Sequence, residues 1–110
     1  MTYVLCMSET ELFKALADPT RRSVYEKLAQ QAMNATELRE GMSISQPAMS
    51  QHLAVLREAG LVREERLGRT IRYWAEPDGL APLAQWMERT AKFWPERMAR
   101  LKTLLKEMDQ

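Results

Sequence analysis

Residues Asn34–Gly60 read NATELREGMSISQPAMSQHLAVLREAG, and the order of caps, turns and apolar positions within them decides the fold. Asn34 stands three residues before Glu37, the spacing of a capping box with Asn in the place of the usual Ser or Thr. The helix it opens is short: it carries Leu38 and stops at Gly41, a residue suited to a helix C-terminus. Met42-Ser43-Ile44 leaves room only for a tight connection. Ser45 then caps a longer helix with Pro47 inside its first turn, where a missing N–H goes unnoticed. Met49, Leu53 and Leu56 are spaced four and three, so they share one face, and Gly60 ends the run. A short helix, a tight turn and a longer helix with one apolar face make a helix–turn–helix, whose second helix lies in the major groove of DNA.

With Met49, Leu53 and Leu56 turned to a core, the helical period places Gln46, Pro47, Ser50, Gln51 and Ala54 outward. That face stays uncharged until Arg57. A surface helix without a ligand more often presents Lys–Glu pairs. Gln can bond two positions of adenine and Ser can reach either kind of base edge, while small side chains let the backbone come close. Without a ligand, the same face reads as a solvated polar surface.

Downstream, the period changes. Leu61–Arg66 and Thr70–Trp74 are short runs on either side of Gly68-Arg69, the second alternating Ile71 and Tyr73 against Arg72 and Trp74. This predicts a β-hairpin with a loop of about three residues. Its tip carries Arg66, Arg69, Thr70 and Arg72, as suits a wing that reaches the phosphate backbone or a neighbouring minor groove. These arginines have a second use, pairing with Glu64 and Glu65 across the hairpin, and the two uses are compatible for different residues.

Upstream, Ser8 or Glu9 opens a periodic stretch with Leu12, Phe13, Leu16 and Ala17 at helical spacing. Asp18-Pro19 ends it and opens the next helix, with Asp18 as N-cap and Pro19 at the first position. Val24, Leu28 and Ala32 share a face there. From Asp78 to about Met108 the chain is helical again, with Pro82 tolerated in the first turn. Leu80, Ala84, Met87, Ala91, Trp94, Met98, Leu101, Leu105 and Met108 alternate steps of four and three, the seam of a coiled coil. With Leu83, Trp86, Phe93 and Leu104 added, the apolar surface exceeds what one small domain needs to cover, which points to a partner chain or to folding back on the domain. Pro95 predicts a kink or break near Trp94. Trp86, Phe93 and Trp94 gather there with several Met, either as plain packing or as the lining of an apolar pocket.

The composition excludes more than it assigns. The chain has 110 residues, 45% hydrophobic and 28% charged, with a formal net charge of +1, so it fits one domain and its charge balance is neutral on nucleic acid. No apolar run approaches the ~18 residues of a membrane span. No signal peptide is read at Met1–Met7, so a cytoplasmic location is expected. There is one Cys, Cys6, and one His, His52, too few for a disulfide framework and too far apart for a metal site. Cys6 is either a redox switch, bridging protomers if their N-termini meet, or an ordinary thiol. With a single His, no Gly-rich phosphate loop and no metal cluster, an enzyme and a cofactor are not expected.

The stretches Leu16-Ala17-Asp18-Pro19-Thr20-Arg21-Arg22, Ser45-Gln46-Pro47-Ala48-Met49-Ser50-Gln51-His52-Leu53 and Leu56-Arg57-Glu58-Ala59-Gly60-Leu61-Val62 resemble the ArsR-type (arsenical-resistance repressor-like) winged-helix regulators, over about residues 12–77. The resemblance implies a homodimer that binds a palindromic operator on double-stranded DNA, represses transcription and releases DNA when an effector binds. By motif position it makes Ser45, Gln46, Ser50, Gln51 and His52 the groove-facing set and brings Thr36 to phosphate. Metal-sensing members carry a Cys-x-Cys pair in the short helix, where this chain reads Thr36-Glu37-Leu38-Arg39-Glu40-Gly41-Met42. Others use His and carboxylates of the C-terminal helix, which has no His here. Soft-metal sites need such ligands, so a non-metal-sensing member is expected, with any small-molecule effector unidentified.

The expectation is therefore a single α+β, mostly α, winged helix–turn–helix domain over residues 1–110. Residues 8–77 form the DNA-binding core and 78–108 a helical dimerisation region, with Leu12, Leu80, Leu83, Ala84, Met87, Ala91, Trp94, Met98, Leu101 and Leu105 facing the partner. The competing reading is a winged-helix module that dimerises and binds protein; it would expose large apolar anchors where this sequence has Gln46, Ser50 and Gln51.

Overall fold

The computed structural model describes residues 2–91 and 95–108, with side-chain surroundings described from residue 9 onward. Along the chain run α1 (Thr2–Ala17), α2 (Pro19–Gln30), β1 (Met33–Asn34), α3 (Ala35–Arg39), α4 (Gln46–Glu58), β2 (Val62–Leu67), β3 (Thr70–Ala75), α5 (Ala81–Ala91) and α6 (Pro95–Met108). The strands form one antiparallel sheet in the order β1-β3-β2. This is a winged helix–turn–helix: α3 and α4 are the two helices of the motif and the β2–β3 hairpin is the wing.

Each helix start in the motif region rests on the cap that the sequence offers. Asp18 accepts the Arg21 amide at 2.8 Å and opens α2, with Pro19 at its first position. Asn34 Oδ1 accepts from the Glu37 amide at 2.8 Å while Glu37 Oε1 accepts from the Asn34 amide at 2.9 Å, a complete capping box. Ser45 Oγ accepts from the Ala48 amide at 3.2 Å to open α4. The end of α4 is a Schellman motif: Leu61 N–H donates to Leu56 O and Gly60 N–H to Arg57 O, both at 3.0 Å. That turn puts Gly60 at φ 80°, a conformation that costs a Cβ-bearing residue about 1 kcal/mol or more.

Several boundaries differ from expectation. The first helix reaches back to Thr2 rather than starting at Ser8 or Glu9, because extending an existing helix adds a hydrogen bond for each residue without a new nucleus. α2 stops at Gln30, before Ala32. β1 has no counterpart in the sequence pattern: its two residues pair with Tyr73 and Arg72, too short a run to show a period. The hairpin loop has two residues, with Leu67 paired to Thr70. Gly68 takes φ 65° and Arg69 a negative φ, the signs of a type II′ turn with Gly at its first central position. α5 begins at Ala81, after a turn over Asp78–Leu80 in which Ala81 N–H donates to Asp78 O.

The core is formed by Leu12, Ala15, Val24, Leu28, Leu38, Met49, Leu53, Leu56, Leu61 and Val62, each 3% exposed or less. It lies between α1, α2, α3 and α4 and the base of the wing. Leu12 is thus a correction to the expected dimer set: at 1% exposure its side chain is enclosed by its own protomer. Gly79 closes the junction behind α4. A Cβ built there would meet the Gly60 carbonyl oxygen at 2.5 Å and both Leu61 Cα and Glu76 O at 3.1 Å. All three are backbone atoms with no rotamer to yield. Gly79→Ala is expected to lower the unfolding free energy by about 1–3 kcal/mol, read by urea denaturation; an unchanged midpoint would show that the junction relaxes freely.

The C-terminal region divides as Pro95 requires, with one helix ending at Ala91 and the next starting on the proline. Residues 92–94 lie outside the described residues, and with them Trp94 of the expected seam and Phe93 of the added apolar set. α5 lies on α1: Phe13 and Trp86 meet edge to face at 5.3 Å and Glu9 pairs with Arg89. Leu80 and Leu83 pack partly buried against the core. Every described residue of α6 is exposed. The radius of gyration, 16.6 Å, exceeds the ~13 Å of a compact chain of this length, because α6 covers no part of the core.

Candidate nucleic-acid interface

The three buried positions of α4 decide which side turns to the core, and the coarse placement of the rest of its surface follows. Gln46, Pro47, Ser50 and Gln51 are exposed and Ala54 half-buried. Ser45 sits at the helix start, its oxygen occupied by the cap. Gln46 and Ser50 face the wing, and between them lies an open cleft of about 340 Å³ lined also by Thr36, Arg69, Thr70 and Tyr73. One concavity therefore gathers five of the sequence-predicted residues, namely Thr36, Gln46, Ser50, Arg69 and Thr70, from three segments that are distant in sequence.

The wing arginines are exposed, and none of Arg66, Arg69 and Arg72 is ion-paired among the described residues. The expected partners are engaged or misplaced. Glu64 pairs with Arg57 of α4, and Glu65 stands opposite Arg72 in the register without forming a bridge. Arg63 is held by Glu76 at 3.3 Å. Residues directly opposite in a hairpin share a face. Arg66 therefore projects on the side of Ile71, and Arg72 on the other side with Glu65, while Arg69 sits at the tip. The three cations surround the wing rather than forming one stripe.

Two predicted residues point elsewhere. Arg57 is half-exposed but fastened to β2, where the hydrogen bond and charge of Glu64 raise its pKa. His52 is half-buried on the flank of α4 away from the cleft, with Nδ1 3.4 Å from Arg21 Nη1 and 4.0 Å from Asp18 Oδ2. It does not join the groove-facing set.

The sequence reading missed Asn34, Ala35, Ile71 and Tyr73 as cleft walls. The alternation of Ile71 and Tyr73 against Arg72 and Trp74 puts the two on one face of the strand, but the element that face meets is set by tertiary packing. Burial, and then the Glu64 carboxylate, push the Tyr73 phenol above its ordinary value, against an opposing pull from Arg57. The phenol is therefore a neutral hydroxyl at physiological pH.

A second, mainly apolar groove of about 770 Å³ runs between α5 and α6, lined by Ala84, Trp86, Met87, Glu88, Thr90, Ala91 and Met98. No group of three or more His, Cys, Asp or Glu residues able to hold a metal ion occurs among the described residues. No helix among them is long and apolar enough to cross a membrane. Cys6 lies on α1, and its side chain falls outside the described residues.

Fold and interface together define a helix–turn–helix protein of the DNA-binding type, and comparison with known proteins refines that. The helix-turn-helix domain family matches residues 16–65. The chain is 40% identical over 87 residues to the HTH-type transcriptional regulator Rv2034 of Mycobacterium tuberculosis, covering 79% of this chain and 78% of that one. It is 36% identical over 76 residues to the transcriptional repressor SdpR of Bacillus subtilis, covering 69% and 84%. Among solved structures, an ArsR-like transcriptional regulator from Rhodococcus sp. RHA1 superposes with a TM-score of 0.69 at 33% identity, over 94% of each chain. The chain belongs to the ArsR-type family of winged helix–turn–helix regulators, and is a DNA-binding transcriptional regulator.

Proposed function

We propose that the chain is a homodimeric repressor that inserts α4 of each protomer into successive major grooves of a palindromic operator. The observation that carries this reading is the cleft between α4 and the wing. It has the polar, amide- and hydroxyl-bearing wall of a base-reading helix on one side and, on the other, Arg69, which has no ion-pair partner among the described residues. Gln46, Ser50 and Gln51 are the base-reading residues, with Pro47 allowing close approach. Thr36, Arg66, Arg69, Thr70 and Arg72 contact phosphate. Apolar anchors, which a protein-docking face would need, do not occur on this side of α4.

Dimerisation is assigned to α5 and α6. Met87, Met98, Leu101, Leu104, Leu105 and Met108 are 37–73% exposed, an apolar content that favours a second copy as cover. Ala84, Ala91, Leu80 and Leu83 complete that surface, with Phe13 of α1 in place of Leu12. Two-fold symmetry then sets half-site centres about 34–36 Å apart on one face of the duplex. A soft metal is not favoured as the effector: Nδ1 of the one imidazole, His52, accepts from Arg21, and α3 carries no Cys. The protein acts in the cytoplasm, where its DNA is.

Fluorescence-anisotropy titrations of random and selected duplex pools at several salt concentrations test the reading. Enrichment of a palindrome bound at least ~10³-fold tighter than random DNA is expected; equal or absent binding to both pools would favour a protein partner. Gln51→Ala is expected to lose about 1–3 kcal/mol of discrimination at one position per half-site. Uniform weakening on every sequence would refute direct readout by Gln51.

A further inference from the structure

The sequence singles out Asp18-Pro19-Thr20-Arg21-Arg22 and His52, yet neither enters the cleft. They meet each other instead, 31 positions apart in sequence. A guanidinium can only donate, so in the 3.4 Å contact Arg21 Nη1 donates and His52 Nδ1 accepts. The same arginine is fixed at its other atoms: Nε donates to Ala15 O at 2.7 Å and Nη2 to Lys14 O at 3.3 Å, both on the last turn of α1. Its amide donates to Asp18 Oδ2 at 2.8 Å, and that oxygen lies 4.0 Å from His52 Nδ1. His52 is thus the polar contact of α4 with a node that also caps α2 and closes α1.

We infer that His52 is a positioning residue, which through Arg21 fixes the rotation of the recognition helix against the α1–α2 junction. Apolar packing of Met49, Leu53 and Leu56 holds α4 down, but such contacts are non-directional and leave azimuth softly determined. A polar contact on the flank is directional and selects among the rotations that the packing allows. The consequence reaches beyond one protomer. α1 carries α5 through Phe13–Trp86 and Glu9–Arg89, so the node ties the reading helix to the element that bears the C-terminal helices. In the dimer, the register between two recognition helices runs through it.

The inference rests on the operator-binding reading, and its test separates the two. Operator and random duplex affinities are measured by anisotropy for the wild type, His52→Ala, His52→Asn, Arg21→Ala and the double alanine variant, with thermal midpoints alongside. His52→Ala is expected to reduce the operator-to-random affinity ratio about tenfold, and the double variant no further than Arg21→Ala alone. Asn carries its amide oxygen where His carries Nδ1, so His52→Asn is expected to keep the larger part of the ratio. A merely structural role would follow the thermal midpoint, not acceptor position. An unchanged ratio in His52→Ala, equal losses in the Ala and Asn variants, or multiplying losses in the double variant would each overturn the assignment. A wild type without operator preference would overturn the operator reading and this assignment with it.

Discussion

Leu56→Ala is expected to lower the unfolding free energy by about 2–5 kcal/mol, a large part of the stability of a domain this size. Leu56 is fully buried, and two separate features converge on it. Its side chain completes the apolar face of α4 with Met49 and Leu53, and its carbonyl receives the Leu61 amide in the turn that ends the helix. Leu61, at 0% exposure, is the next core residue. Truncation removes apolar area and leaves a cavity that the surrounding helices close only in part. The midpoint of thermal unfolding should fall by on the order of 10 °C or more. Urea denaturation at matched protein concentration is the measurement, because dimerisation adds to apparent stability. Leu67→Ala is the control: Leu67 is 48% exposed, and its truncation should cost no more than about 0.5 kcal/mol. A cost below about 1 kcal/mol for Leu56 would mean that the α4 face is not the centre of the core.

The elements whose identity depends on neighbouring residues were legible in the sequence. Asn34 with Glu37, Ser45 and Asp18-Pro19 each announce a helix start through a side chain that reaches its own backbone three residues on, and all form as read. Gly60 is legible for the same reason, since the turn it permits is closed by bonds within five residues. The strand β1 is different. Met33 and Asn34 pair with Tyr73 and Arg72, far away in sequence, so nothing local to them specifies extended pairing. The break at Pro95 was readable because a missing N–H is a property of one residue; the exposure of all of α6 was not, because it depends on what α6 fails to reach.

The site divides along the same line. Helical periodicity sorts α4 into buried and outer positions, so Gln46, Ser50 and Gln51 fall where expected. It does not say which flank meets the wing and which meets α2. His52 lies next in sequence to Leu53, and its direction is settled only by where the α1–α2 junction sits, a contact between residues 31 apart in sequence. Arg57 is a similar case: an outward charge by period, it meets Glu64 because β2 runs back along α4. Leu12 failed in the opposite sense. Its spacing is equally that of a dimer seam and of a core helix, and only the tertiary packing that leaves it 1% exposed decides for the core.

Removing the wing charges together, as Arg66→Ala, Arg69→Ala and Arg72→Ala, is expected to give the largest change in DNA affinity. Every arginine withdrawn from a phosphate should lower the slope of log affinity against log salt by about 0.9. Three such arginines per protomer make six in a dimer, so the slope should become shallower by roughly 5. Over a fourfold rise in salt, that difference corresponds to about a thousandfold in affinity. Because phosphates carry no sequence information, operator and random duplexes should weaken together, unlike the response to Gln51→Ala. The single variants need not contribute equally. Arg69 lies at the tip and lines the cleft with Gln46 and Ser50, whereas Arg72 projects from the face that holds Glu65. Arg69→Ala should therefore account for the greatest share, and Arg72→Ala the least, unless the duplex wraps both sides of the wing. Anisotropy titrations of each variant between about 50 and 200 mM salt decide this. An unchanged slope in the triple variant would place the wing off the DNA and leave α4 to carry binding alone.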